Sequence, residues 1–245
     1  MDFSILFTWD GLLYLVILSL LEIVLGIDNI IFISIVTDRL PKNNKRRARN
    51  VGLSLALIIR LILLSFVAWI MQMTSPLFTV AEVEFSGQSL VLLIGGLFLI
   101  YKSVTEMHSS VAGHEEHEQK GKVTLKGVIV QIVLIDIVFS FDSIISAIGM
   151  TNGIGEGNQD PMVIIYIAVI VSMIVMLAFA KGIADFINNR PTIKMIALGF
   201  LVTIGVFLVA EAFGQHVPKG YIYFAIVYSL IIEFLNIRMR KNKGV

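Results

Sequence analysis

The sequence predicts an all-α, polytopic membrane protein of seven transmembrane helices, and three observations carry that reading. The 245 residues are 57% hydrophobic and only 15% charged, with a mean hydropathy of +0.88, whereas soluble domains carry about 25% charged residues. The apolar residues gather in repeated blocks close to the ~20 residues that cross a bilayer as helix. The acid-bearing stretch of the first block, EIVLGIDNII at 22–31, returns as DIVFSFDSII at 136–145.

In chain order the spans are expected at about 11–36, 51–73, 88–105, 124–148, 162–180, 193–212 and 220–237. They form a single membrane domain over 1–245: a first repeat at about 11–105, a cytoplasmic polar loop at about 106–123, a second repeat at about 124–212, and a seventh helix. Little chain is left for a soluble domain, so the function must lie among the helices. The N-terminal MDFSILFTWD has no Lys or Arg, unlike the basic start of a cleaved signal peptide, so the first span is expected to stay. There is no cysteine, which excludes disulfides and thiolate metal sites.

All but two of the 19 Lys and Arg fall in four clusters: Arg39 to Arg49, Lys102 to Lys126, Lys181 to Lys194, and the tail from Arg238. These are alternate connections, so the positive-inside rule sets the N-terminus outside and the C-terminus in the cytoplasm. The two exceptions are Lys219, on the opposite side, and Arg60, inside the second span. The basic run from Arg39 to Arg49 sets topology and touches anionic lipid; it does not point to nucleic acid.

The recurring stretch aligns Glu22 with Asp136, Asp28 with Asp142 and Asn29 with Ser143. Gly26 aligns with Ser140, and the Ile-Val and Ile-Ile pairs repeat. The copies fall in the first and fourth spans, an offset of three, so they run antiparallel, as in a 3+3 inverted repeat whose binding site lies near the midplane. Ile94-Gly95 and Ile204-Gly205 give a weaker echo in the third and sixth spans. Glu22, Gly26 and Asn29 share one helix face to within ~20°. Asp136, Ser140, Ser143 and Ala147 form the partner stripe, and small residues on both let helices approach closely. Asp28 and Asp142 sit ~100° round from those faces and would reach the same cavity if the helix loosened near Gly26.

An Asp at the bilayer centre costs ~3 kcal/mol, and four acids on the order of 10 kcal/mol, unless something compensates. The plain reading pairs Arg60 with one or two acids and keeps the rest protonated as helix glue; it leaves at least two acids unexplained. The functional reading is a cation site. Carboxylate, amide and hydroxyl oxygens suit hard ions such as Mn²⁺, Mg²⁺ or Ca²⁺. Soft ions would want Cys or clustered Met, and Met173 and Met176 read as lipid-facing filler.

Other polar residues read more plainly. His108 and the run His114 to Glu118 could sample cytoplasmic metal, but a solvated polar loop accounts for them. Lys102 and Glu106 are spaced to pair along a helix. Glu211, with His216 beyond it, either lines an exit path or reaches the interface. Glu233 and Asn236 lie one turn apart near Arg238 and Arg240, where a structural ion pair is expected.

On the strength of EIVLGIDNII, DIVFSFDSIISAIGM and GYIYFAIVYSLIIEFLN, the chain resembles the TerC family of integral membrane proteins along essentially its whole length. That family is associated with tellurium resistance by name and with Mn²⁺ export in several members. The resemblance implies a seven-helix exporter of Mn²⁺ in the bacterial inner membrane. It also implies metal ligands at Glu22, Asp28, Asn29, Asp136, Asp142 and Ser143. Some relatives append CBS and transporter-associated domains; this chain reads as a compact, CBS-less member. Another branch has proline after its second Asp-Ser-Ile, where this chain has Ile145.

The expected mechanism is alternating access. Cytoplasmic metal binds between the first and fourth spans and displaces protons, the two repeats rock, and protons from outside release it. The divalent ion is substrate, with no tightly bound cofactor, and lipid is the only other partner read from the sequence. An enzyme is not expected. An intramembrane aspartyl protease would need a GxGD that is missing, since only Gly26-Ile27-Asp28 is present. A non-transporting scaffold for metal delivery is the other alternative.

Overall fold

The computed structural model describes residues 4–66, 70–71, 73–80, 83–112, 124–151, 162–215, 218 and 220–243. A 3₁₀ turn at Ser4–Phe7 leads into α1 (Trp9–Asp38), followed by α2 (Lys42–Ser65). A short hairpin of β1 (Pro76–Val80) and β2 (Val83–Ser86) precedes α3 (Gly87–Val111). Then come α4 (Leu125–Thr151), α5 (Met162–Asn188), α6 (Pro191–Ala212) and α7 (Gly220–Lys243). All seven helices are long and apolar enough to cross a membrane.

Local chemistry fixes their ends. Thr8 caps α1, its hydroxyl accepting from the Gly11 amide at 3.0 Å, and Ser86 caps α3 through the Ser89 amide at 3.1 Å. Pro191 opens α6, where its missing N–H costs nothing. Several boundaries differ from expectation, and α5 and α7 also run on past 180 and 237. α2 begins at Lys42, so the basic run is its first two turns, and its helix ends at Ser65 instead of running on to 73. Lys and Arg are good helix formers despite their polarity, and Lys45 Nζ ties back to Asp38 Oδ1 at 2.6 Å. α3 likewise continues through residues 106–111, expected as loop. The antiparallel hairpin is a small β element in an otherwise helical fold.

α1 is one unbroken helix, so Gly26 does not loosen it. Leu13, Val16, Leu20, Val24 and Ile27 are exposed on α1, as a lipid-facing stripe requires, while the residues from Asp28 to Thr37 are all buried.

The chain divides into two compact units. One comprises residues up to Ser75 and Val123–Ala184, that is α1, α2, α4 and most of α5. In it α4 packs on both α1 and α2. The α2–α4 approach is close: a Cβ on Gly52 would lie 2.8 Å from Ile132 Cδ1. The other unit comprises Pro76–Lys122 and Asp185–Val245, with the hairpin, α3, α6 and α7. Its centre is the α3–α6 crossing, where a Cβ on Gly96 would lie 2.7 Å from the Gly205 carbonyl oxygen. Phe85 of β2 stacks on Phe78 and meets Phe213 edge-on. The compact units are therefore not the two sequence repeats, since each draws helices from both halves of the chain.

Candidate functional site

The polar centre of the first unit is built by α1, α2 and α4. Glu22, Asp28 and Asn29 of α1, Arg60 of α2, and Asp136, Ser140 and Ser143 of α4 are all buried. Arg60, only 2% exposed, organises them. Its Nη1 donates to Glu22 Oε2 at 2.7 Å, its Nη2 to Asp136 Oδ1 at 3.2 Å, and its Nε to Ser140 Oγ at 3.1 Å. Asn29 Nδ2 also donates to Asp136 Oδ1, at 3.0 Å, and Ser140 Oγ donates to Asp136 Oδ2 at 3.4 Å. Asp136 thus accepts from three side chains on three helices. A buried carboxylate needs such partners, because stripping its water costs several kcal/mol.

Of the six residues expected as ligands, Glu22, Asn29 and Asp136 meet in this one network. Ser143 is buried with its hydroxyl 3.4 Å from the Ser140 carbonyl oxygen. Asp28 is buried beside Asn29 on α1. Asp142 lies in α4, and its side chain is outside the described residues. Among the described residues no group of three or more His, Asp or Glu is placed to hold a metal ion. In this arrangement a guanidinium lies between the two aligned acids.

Two members escaped the ligand list read from the sequence. Ser140 stood on the polar stripe, one turn from Asp136, and that spacing was the available signal. Arg60 was conspicuous as the lone mid-span cation, yet its reach to acids on two different helices follows only from how α2 packs on α4. The Asn29 oxygen, Oδ1, has no hydrogen-bond partner among the described residues.

Neighbouring expectations change as well. Met173 and Met176 are not lipid-facing: both are buried. Gly26 accommodates Met176 of α5, since a Cβ there would fall 2.1 Å from the Met176 sulfur. In the second unit, Glu106 is buried and stands 4.0 Å from Lys194 Nζ of α6. Glu233 accepts from the Thr192 hydroxyl and, at 3.5 Å, from Asn236 Nδ2; the Arg240 side chain, one of its expected partners, lies outside the described residues. His108 is exposed on α3, and Glu211 is half-buried near the end of α6. The run His114 to Glu118 and His216 lie outside the described residues.

Seven helices long and apolar enough to cross a membrane among the described residues, with a buried charged cluster inside one unit, define a polytopic α-helical membrane protein. The chain belongs to the TerC family of integral membrane proteins, whose family model matches residues 7–243. It is 48% identical over 243 residues to a UPF0053 protein of Haemophilus influenzae, covering 96% of this chain and 99% of that one. It is 46% identical over 242 residues to the UPF0053 inner membrane protein YgdQ of Escherichia coli, covering 97% and 99%. It is also 46% identical to YoaE, a further UPF0053 inner membrane protein of that organism, covering 96% of this chain and 43% of the longer relative. No solved structure matches. With its seven spans and these relatives, the chain is a multi-pass protein of the inner membrane.

Proposed function

We propose that this protein exports divalent metal cations, Mn²⁺ foremost, from the cytoplasm in exchange for protons. The observation that carries the reading is that Glu22, Asn29 and Asp136 belong to one buried network joined through Arg60. They are hard oxygen donors taken from both copies of the repeated acid motif, and such donors suit Mn²⁺, Mg²⁺ or Ca²⁺. The preference for Mn²⁺ rests on membership of the TerC family. The orientation proposed is N-terminus outside, from the positions of Lys and Arg. Asp28, Asp142 and Ser143 complete the ligand set in this proposal. Carboxylates suit the task because protons replace the leaving ion and remove the cost of bare charge among apolar helices.

A second reading, a structural charge cluster without transport, is favoured by one observation: Arg60 already bonds both aligned acids. Metal flux separates the two. Purified protein in liposomes should move Mn²⁺ down its gradient, with a rate that responds to an imposed pH gradient. Absence of flux for Mn²⁺, Mg²⁺ and Ca²⁺ would leave the structural reading in possession.

A further inference from the structure

We propose that Arg60 is a tethered counter-cation: its guanidinium occupies Glu22 and Asp136 while the site holds no ion, and the incoming divalent cation must displace it. The proposal rests on the transport reading above and adds how the same site is regulated.

Geometry makes the two cations exclusive. Arg60 reaches Glu22 Oε2 at 2.7 Å and Asp136 Oδ1 at 3.2 Å. Those oxygens come from the residue pair that the two motif copies align, so they are the pair a shared ion would bridge. Hard divalent ions sit at about 2.0–2.6 Å from their oxygen ligands. An ion at that distance from the same two atoms would lie against the guanidinium, a like charge in a buried site, where repulsion is little screened. Either the arginine or the ion holds both acids.

The sequence repeat singles Arg60 out. At the 114-residue offset that relates Glu22 to Asp136, Arg60 corresponds to Ile174, which is 59% exposed. The acids are duplicated and the cation is not. One fixed positive charge serves both copies, as a single returning occupant of a single shared site requires. The guanidinium has a second hold away from the acids, since its Nε donates to Ser140 Oγ at 3.1 Å. That contact can keep the side chain beside the site when the acids turn to the ion. An arginine in this role neutralises Glu22 and Asp136 among apolar helices once the ion departs, and the exchanged protons then fall to the other acids of the proposed ligand set, Asp28 and Asp142.

The test is equilibrium binding of Mn²⁺ to the purified full chain in detergent, by titration calorimetry, alongside Mn²⁺ flux in liposomes. Arg60→Gln should bind Mn²⁺ at least tenfold more tightly than wild type and release it more slowly, so that flux falls as affinity rises. A tenfold gain corresponds to wild-type Arg60 holding the acids about nine-tenths of the time. Arg60→Lys keeps the charge but loses the two-pronged grip and should bind Mn²⁺ with an intermediate affinity. If Arg60→Gln does not fold, Arg60→Lys decides: tighter binding than wild type supports the proposal, and unchanged or weaker binding overturns it. A folded Arg60→Gln that binds no more tightly than a wild type that transports Mn²⁺ overturns the tethered-cation role alone. A wild type that moves no divalent ion overturns the transport reading and this one with it.

Discussion

Arg60 Nη1 lies 2.7 Å from Glu22 Oε2, joining α2 to α1 through two side chains that are each 2% exposed. A buried pair of this kind offers little net stability over an apolar substitute, but breaking it is costly, because the surviving charge is stranded. Arg60 answers to two acids at once, so the cost of its loss should exceed that of losing either acid.

That ordering is measurable. Arg60→Gln should destabilise the protein by about 3–5 kcal/mol, and Glu22→Gln by less. The double variant should be more stable than the sum of the singles allows, by about 2 kcal/mol, because the partners fail together. Denaturant unfolding of all four proteins in detergent gives the cycle, and additive losses would mean that the two side chains act independently.

Gly26 makes a separate prediction. A Cβ there falls 2.1 Å from the sulfur of Met176, which is flexible enough to move but is buried. Gly26→Ala should cost about 1–3 kcal/mol through overpacking. Trimming the obstacle with Met176→Ala in the same chain should recover part of that loss. Thermal unfolding of the single and double variants checks it, and a double variant worse than both singles would contradict the assigned contact.

Gly96 should be less forgiving. Its missing Cβ faces the Gly205 carbonyl oxygen at 2.7 Å, and a backbone atom cannot swing aside as a thioether can. Gly96→Ala should therefore be more destabilising than Gly26→Ala. The same unfolding measurement ranks the two, and the reverse order would mean that α3 and α6 separate easily.

Much of this fold can be read from hydropathy alone, because a helix in lipid must be apolar for about 20 residues. The repeated Glu22 and Asp136 motif was equally visible, since acids are scarce in such helices. Periodicity does not show which apolar residues face lipid and which face protein. Met173 and Met176 were misread for that reason: both environments are apolar, and the close approach of α5 to Gly26 is a tertiary fact. The helical basic run from Lys42 was hidden by its charge, which the search for apolar spans rejects. The pairing of Asn29 with Asp136 is likewise set by helix packing. Symmetry placed Asn29 opposite its equivalent Ser143 in sequence, but Ser143 bonds within its own helix.

Thr192 and Glu233 supply a prediction in the second unit. The Thr192 hydroxyl donates to Glu233 Oε1 and joins α6 to α7. Thr192→Val keeps the shape and removes the donor, which should cost about 1–3 kcal/mol because Glu233 is buried. Thr192→Ser should retain most of the stability. Equal losses in both variants would point to packing instead of the hydrogen bond.

In the proposed transport cycle the acids around Asp136 carry a divalent ion across the membrane. Mn²⁺ flux into liposomes, comparing wild type with Asp136→Asn, tests it most directly, since asparagine keeps the side-chain shape and removes the charge. Flux is expected in the wild type and should be lost in a folded Asp136→Asn. Wild-type flux matched by Asp136→Asn would contradict it.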